Sequence, residues 1–202
     1  MSEREFLEAA AKQRAKAAVR EVEAQTAVEV VIAVRRRAAR YVMTSVLFGA
    51  ACACAGFLVM WFSPREYDVR TMPLDVLLAF LLGAGLVLAV PRLRRLLTPN
   101  GRLERNAEAA AKQAFGALGI EKTRGRTGVL VYVSLFERTA VLVPDSGVPE
   151  AALTGARAAL KRAVARLDLA DFFGALGQLG PACAAVLPRQ PDDENELCDD
   201  VV

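Results

Sequence analysis

Val28-Glu29-Val30-Val31-Ile32-Ala33-Val34 is a β-branched run of strand length with Val28, Val30, Ile32 and Val34 on one face. A single strand is unstable without partners, and nothing before it reads as a second one. Residues 3–25 instead carry Ala15, Ala18, Val19 and Val22 at helical spacing. Gln25-Thr26 closes that helix, and Lys12, Arg14, Lys16 and Arg20 lie along its outer back. On this reading Glu29 alternates out of the strand's apolar face, toward solvent or an Arg. The strand's partners must therefore come later in the chain.

The segment directly after the strand is lipid-compatible. No charged residue occurs from Tyr41 to Pro64, and residues 43–62 are long enough at 1.5 Å per residue to cross a hydrocarbon layer of about 30 Å. A second apolar stretch, residues 73–90, begins with Pro73, carries one acid (Asp75) near its mouth and stops at Pro91. The charged turn at residues 63–72 makes the two spans a helical hairpin, with Trp61, Phe62 and Tyr67 at one level and Tyr41 at the other. Arg35, Arg36, Arg37 and Arg40 precede the first span and Arg92, Arg94 and Arg95 follow the second, against Arg65 and Arg70 in the turn. By the positive-inside rule the sequence predicts a multi-pass inner-membrane protein with both termini cytoplasmic. The first forty residues contain no apolar signal region, so insertion would use the first span.

Composition agrees with a membrane setting: 202 residues are 54% hydrophobic. The histidine count is 0, which excludes Ser-His-Asp, Cys-His, His-zinc and HExxH mechanisms, since each requires an imidazole. Four cysteines form neither a disulfide framework nor a zinc spacing, and Cys52 and Cys54 point to different helix faces. Small residues recur in both spans, at Ala51, Ala53, Ala55 and Gly56 and at Ala79, Gly83 and Gly85. They suit packing of the hairpin on itself or, alternatively, a homo-oligomer through the same faces.

Beyond the hairpin, Leu103, Ala107, Ala110, Ala111, Ala114, Phe115 and Leu118 form a helical face ended by Gly119. Residues 128–134 read as a buried central strand and 139–143 as the second strand of a tight hairpin. After the turn Pro144-Asp145-Ser146-Gly147, Leu153, Ala156, Leu160, Val164 and Leu167 continue as an amphipathic helix. The expected fold class is α/β, a small mixed-sheet sandwich interrupted by the hairpin. Residues 1–40 and 92–188 form its two parts, residues 41–91 the hairpin, and residues 189–202 an acidic tail. Residues 172–188 are uncharged, but Gly174, Gly177, Gly180, Pro181 and Gln178 argue for soluble helix over a third span. With 26 basic and 23 acidic residues, six of the acids in the tail, the body carries +9 and the chain +3. The tail reads as a solvated strip free to meet the basic surface; its spacing does not fit an EF-hand.

Residues 123–138 (TRGRTGVLVYVSLFER) and 143–148 (VPDSGV), preceded by 23–34 (EAQTAVEVVIAV), resemble the TPM domain. The ending DENEL at 193–197 is similar to that of bacterial TPM-domain membrane proteins in which a hairpin interrupts the domain. The resemblance implies an α/β sandwich. For a thylakoid-lumen branch it implies acid phosphatase activity; for others, photosystem repair, receptor modulation or assembly. Two departures stand out. Many TPM domains lie outside the cytoplasm, and Ser146 stands where a basic residue or glycine is common.

Arg124, Arg126, Thr127 and Gly128 are the candidate phosphate-binding residues, because Arg forks and free backbone amides match phosphate oxygens. The alternative is a solvated basic turn. Asp145 is the candidate catalytic acid, base or ligand of a divalent cation, with Glu137 or Glu29 as the second carboxylate. The alternative there is a turn in which Asp145 bonds its own backbone. The Arg clusters lack interleaved aromatics, so their expected partner is anionic lipid, worth about 1 kcal/mol per residue, and not nucleic acid. Two functions emerge: an accessory or scaffold module serving another membrane protein, and a divalent-metal-dependent hydrolase of phosphate esters.

Overall fold

The computed structural model describes residues 5–65 and 67–189. The acidic run at 192–200 and the DENEL segment lie outside them. The chain divides into two compact units, Met1–Ala39 with Glu104–Val202, and Arg40–Leu103. The inserted unit takes in the two apolar helices and continues to residue 103.

In the first unit, β1 (Glu29–Arg35) lies parallel to β2 (Gly128–Ser134), with Val30 opposite Val129 and Val34 opposite Val133. β3 (Thr139–Pro144) runs antiparallel to β2, so the order is β1-β2-β3 and the sheet is mixed. The lone strand finds its partner on the far side of the insertion. β3 extends one residue past the expected 143 to Pro144, which an edge strand tolerates because its missing N–H would have faced outward.

One face of the sheet, with Val30, Ile32, Val129, Val131 and Leu142, packs on α1 (Ala9–Glu23), α6 (Glu150–Arg166), α7 (Leu169–Gly177) and α8 (Leu179–Ala184). The other face, with Val31, Ala33, Leu130 and Tyr132, packs on Ala111 of α5 (Asn100–Ala117) and on Ile120. The result is an α/β sandwich of three layers. Full burial of a side chain such as Val131 or Leu160 contributes roughly 1.5–3 kcal/mol. α5 covers this second face, and Glu29, expected to turn toward solvent or an Arg, is buried, so the solvent alternative falls.

The predicted helix 3–25 is shorter, a 3-10 turn at Glu5–Leu7 followed by α1. α5 closes at Gly119, whose φ of +66° supplies the left-handed turn. Residues 172–188 form no single long helix. Asp168 caps α7 by accepting the amides of Ala170 and Asp171 at 2.9 and 3.1 Å, and the helix breaks at Gln178. Phe172, Leu176 and Leu179 then bury in the core. The chain returns to the start of β1, where Thr26 Oγ1 donates to Leu187 O at 2.6 Å.

The second unit consists of α2 (Val42–Phe62), α3 (Met72–Ala89) and α4 (Pro91–Leu97). α2 and α3, about 32 and 27 Å long at 1.5 Å per residue, are long and apolar enough to cross a membrane. Most of their large side chains face outward. Close approach rests on Gly49 and Gly83. A Cβ at Gly49 would lie 2.8 Å from Phe80 O, and one at Gly83 2.7 Å from Cys52 Sγ. A Cβ at Gly85 would meet nothing within 4 Å. Pro91 does not only end α3, as expected; it occupies the first turn of α4, where its missing N–H costs nothing. Arg94 also departs from its expected place among headgroups. It is buried, donating from Nε to Val87 O at 3.3 Å and from Nη2 to Leu88 O at 2.6 Å.

Candidate functional site

Register builds the site. Glu29 pairs with Gly128, and the Asp145 amide donates to Gly128 O at 2.8 Å, so the three stand in one row across the end of the sheet. Residues paired across strands share a face, which puts both carboxylates on the α5 side of the sheet. Gly128 between them has no side chain because Ile120 occupies the place a Cβ would take.

Two turns meet at this end. Thr123 O accepts the Arg126 amide at 3.1 Å and Thr123 Oγ1 the Thr127 amide at 3.1 Å. Arg126 adopts a φ of +51°, and its carbonyl accepts the Gly147 amide at 2.9 Å. Asp145 Oδ1 accepts the amide of Ser146 at 2.6 Å and faces Arg126 Nη1 at 3.5 Å. The Asp145 side chain is 6% exposed and that of Arg126 60%. Asp145 Oδ2 is buried without a hydrogen-bond partner among the described residues.

The structure thus brings Asp145, Arg126, Thr127 and Gly128 together, with Arg124 exposed in the same turn. The amides of Arg126 and Thr127, however, are already used within that turn, so they are not the free donors a phosphate cradle requires. Glu137 lies elsewhere. It follows β2 at the opposite end of the sheet, about 20 Å away at 3.3 Å per residue. There Glu137 accepts the Ala38 amide at 3.0 Å through Oε1 and the Ser134 hydroxyl through Oε2, tying the exit of β1 to the β2-β3 link. Beside it the Tyr132 phenol is pushed above its ordinary range, first by burial and then by the charge of Glu137, with Arg35 pulling the other way.

No group of three or more carboxylates or thiols that could hold a metal occurs among the described residues. Glu29 and Asp145 stand two strand spacings apart, about 10 Å, with Ile120 set between them. Cys183 is buried, and burial raises its thiol pKa, which leaves little thiolate for chemistry.

Two features were missed by the sequence reading, the burial of Glu29 and the insertion of Ile120 over Gly128. The near-continuous apolar character of residues 28–34 was a signal for the first, since a strand covered on both faces has no outward side. The second had none, because it depends on the path of the chain after α5.

No family model and no curated protein sequence matches the chain. Among solved structures, it is similar to the NMR structure of the BA42 protein from the psychrophilic bacterium Bizionia argentinensis, with a TM-score of 0.58 and 17% identity. The match covers 99% of this chain and 97% of that one, and at this identity it shows a shared fold alone.

Proposed function

We propose that this chain is a membrane-anchored, TPM-like accessory or scaffold module, held at the cytoplasmic face of a bacterial inner membrane by the α2-α3 hairpin. The observation that carries the reading is the hairpin itself: two outward-facing apolar helices inserted between two strands that pair with each other. An insertion placed there fastens the sandwich to lipid at two points of its own sheet. The candidate catalytic residues support a non-enzymatic role, since Asp145 is tied into its turn and Glu137 secures the far end of the sheet. The partner on this reading is another membrane protein.

A second reading, phosphate-ester hydrolysis, rests on one observation, the buried Asp145 carboxylate, whose Oδ1 faces the Arg126 guanidinium and whose Oδ2 has no hydrogen-bond partner among the described residues. The two are separated by assaying the purified full chain on a generic phosphate ester beside Asp145→Asn. The scaffold reading expects no turnover from either. Turnover by the wild type that is lost in Asp145→Asn would replace it with the enzyme reading. Alkaline washing of membranes tests the anchor: the chain stays in the pellet, and release into the supernatant would refute the hairpin's role.

A further inference from the structure

At the end of the sheet where β1 finishes, the pairing continues beyond the strands. The Leu135 amide donates to Arg35 O and the Phe136 amide to Arg36 O, both at 3.0 Å, and Glu137 Oε1 accepts the Ala38 amide at 3.0 Å. The β2-β3 turn and residues 35–38 are thereby fastened side by side. Their charge is one-sided: residues 35–38 and 135–138 hold Arg35, Arg36, Arg37 and Arg138 against one acid, Glu137, which is 4% exposed.

Arg35 acts on the Tyr132 phenol. Arg36 and Arg37 are exposed and Arg138 is half-buried, and the side chains of these three make no hydrogen bond or ion pair among the described residues. Arg138 stands at a φ of +50°, a left-handed position that glycine or asparagine fills with less strain, so the turn itself gives no reason for an arginine. Chain length limits how far these cations stand from the hairpin. Residues 37 and 42, the first of α2, are five positions apart, so at 3.6 Å per residue their separation is at most about 18 Å. With α2 in lipid, a guanidinium at Arg37 comes within reach of the headgroup layer, beyond which the potential of an anionic leaflet extends about one Debye length, ~8 Å.

We infer that this end of the sandwich is a docking face for anionic phospholipid, on which Arg36, Arg37 and Arg138 bind headgroup phosphates while the Glu137 contacts hold the two basic segments together. This rests on the hairpin reading above and adds a lipid preference that an apolar hairpin alone lacks. An anionic bilayer matches both the unpaired guanidiniums and their short tether to α2; an acidic protein surface matches the charge but not the tether.

The test is hydrogen–deuterium exchange on the whole chain in nanodiscs of phosphatidylcholine alone or mixed with phosphatidylglycerol. Amides of α2 and α3 should be protected in both. Residues 36–39 and 135–138 should exchange several-fold more slowly with phosphatidylglycerol present, residues 145–148 at the opposite end should not change, and molar salt should remove the difference. Arg36→Gln, Arg37→Gln and Arg138→Asn together should also remove it, with β2 as protected as in the wild type, since asparagine tolerates the left-handed backbone at 138. Equal exchange in the two lipids, slowing that survives salt or the substitutions, or slowing that extends to 145–148 would each overturn the proposal. So would protection already complete in phosphatidylcholine, which would mean that a protein surface, a second copy included, covers this end. Rapid exchange throughout α2 and α3 in both lipids would instead refute the hairpin reading and take the proposal with it.

Discussion

At Gly147 a single added carbon would separate two turns: its Cβ would lie 2.5 Å from Gly125 O and 2.6 Å from Arg126 O. Backbone cannot yield as a flexible side chain does, so Gly147→Ala should cost about 1–3 kcal/mol in denaturant titration of the purified chain. Asp145→Asn keeps an oxygen for the Ser146 amide and should cost no more than about 1 kcal/mol. Equal losses from both would mean that the carboxylate charge, and not the close approach of the turns, holds this end together. Tyr132 supplies a pH signature at the other end. Its folded pKa lies above the ordinary value of 10.0, so the folded state holds the phenol proton longer than the unfolded chain does. The associated stability is complete below pH 10 and is lost as pH rises through the folded pKa. Tyr132→Phe should therefore flatten the decline in stability on the alkaline side, and Glu137→Gln should bring the phenolate absorbance change to lower pH. An unchanged titration in Glu137→Gln would show that burial alone sets the shift. Of these residues, the Pro144-Asp145-Ser146-Gly147 turn was legible, because its chemistry is local. The Ser134-Glu137-Ala38 link was not, because two of its members meet only after β1 and β2 pair.

Elements were legible where their period was strong. β2 was read at residues 128–134 and is Gly128–Ser134, since a continuous apolar run bounded by Gly and Ser leaves little choice. Helix ends were less so: Pro91 reads equally as a stop or a start, and here it opens α4. The small residues of the hairpin offered two uses, self-packing and association with a second copy, and two glycines serve the first. Gly49 and Gly83 are taken up where α2 and α3 touch, whereas Gly85 is open. Gly83→Leu must push α3 off Cys52 and should cost about 1–3 kcal/mol by thermal melting in detergent. Gly85→Leu should leave the same transition unmoved. If Gly85→Leu instead shifts a self-associated form toward monomer in size-exclusion chromatography, its face serves a second copy of the chain. A neutral Gly83→Leu would mean that the two helices do not approach as closely as these distances require.

For the whole molecule, one pairing constrains topology more tightly than any charge count. β1 precedes the hairpin and β2 follows it, yet the two are hydrogen-bonded along their full length from Glu29↔Gly128 to Arg35↔Ser134. Strands of one sheet occupy one compartment, so if the inserted unit enters the bilayer it must cross an even number of times. α7 and α8 then decide the C-terminal side, because Phe172, Leu176, Leu179 and Cys183 belong to the same core as β1 and β2 and are not free to span. If the hairpin spans a membrane, the sheet thus requires both flanks on the same side, and the Arg distribution bears only on which side that is. Reporters fused before Met1 and after Val202 should therefore agree with each other, and one in the turn between α2 and α3 should disagree with both. The pairing is checked in the same membranes by cysteines replacing Ile32 and Val131, opposite one another in the register, which should cross-link with a short bifunctional reagent. Val131→Asp should abolish the equivalent cross-link between Ala33→Cys and Tyr132→Cys, the next pair in the register, because an unpaired charge at the centre of the sheet costs several kcal/mol. Reporters on opposite sides would require an odd number of crossings, which this sheet cannot accommodate without losing β1 or the α7-α8 segment. A same-side result with the turn reporter also inside would remove the membrane from the account while leaving the sandwich intact, and the apolar faces of α2 and α3 would then need a protein partner.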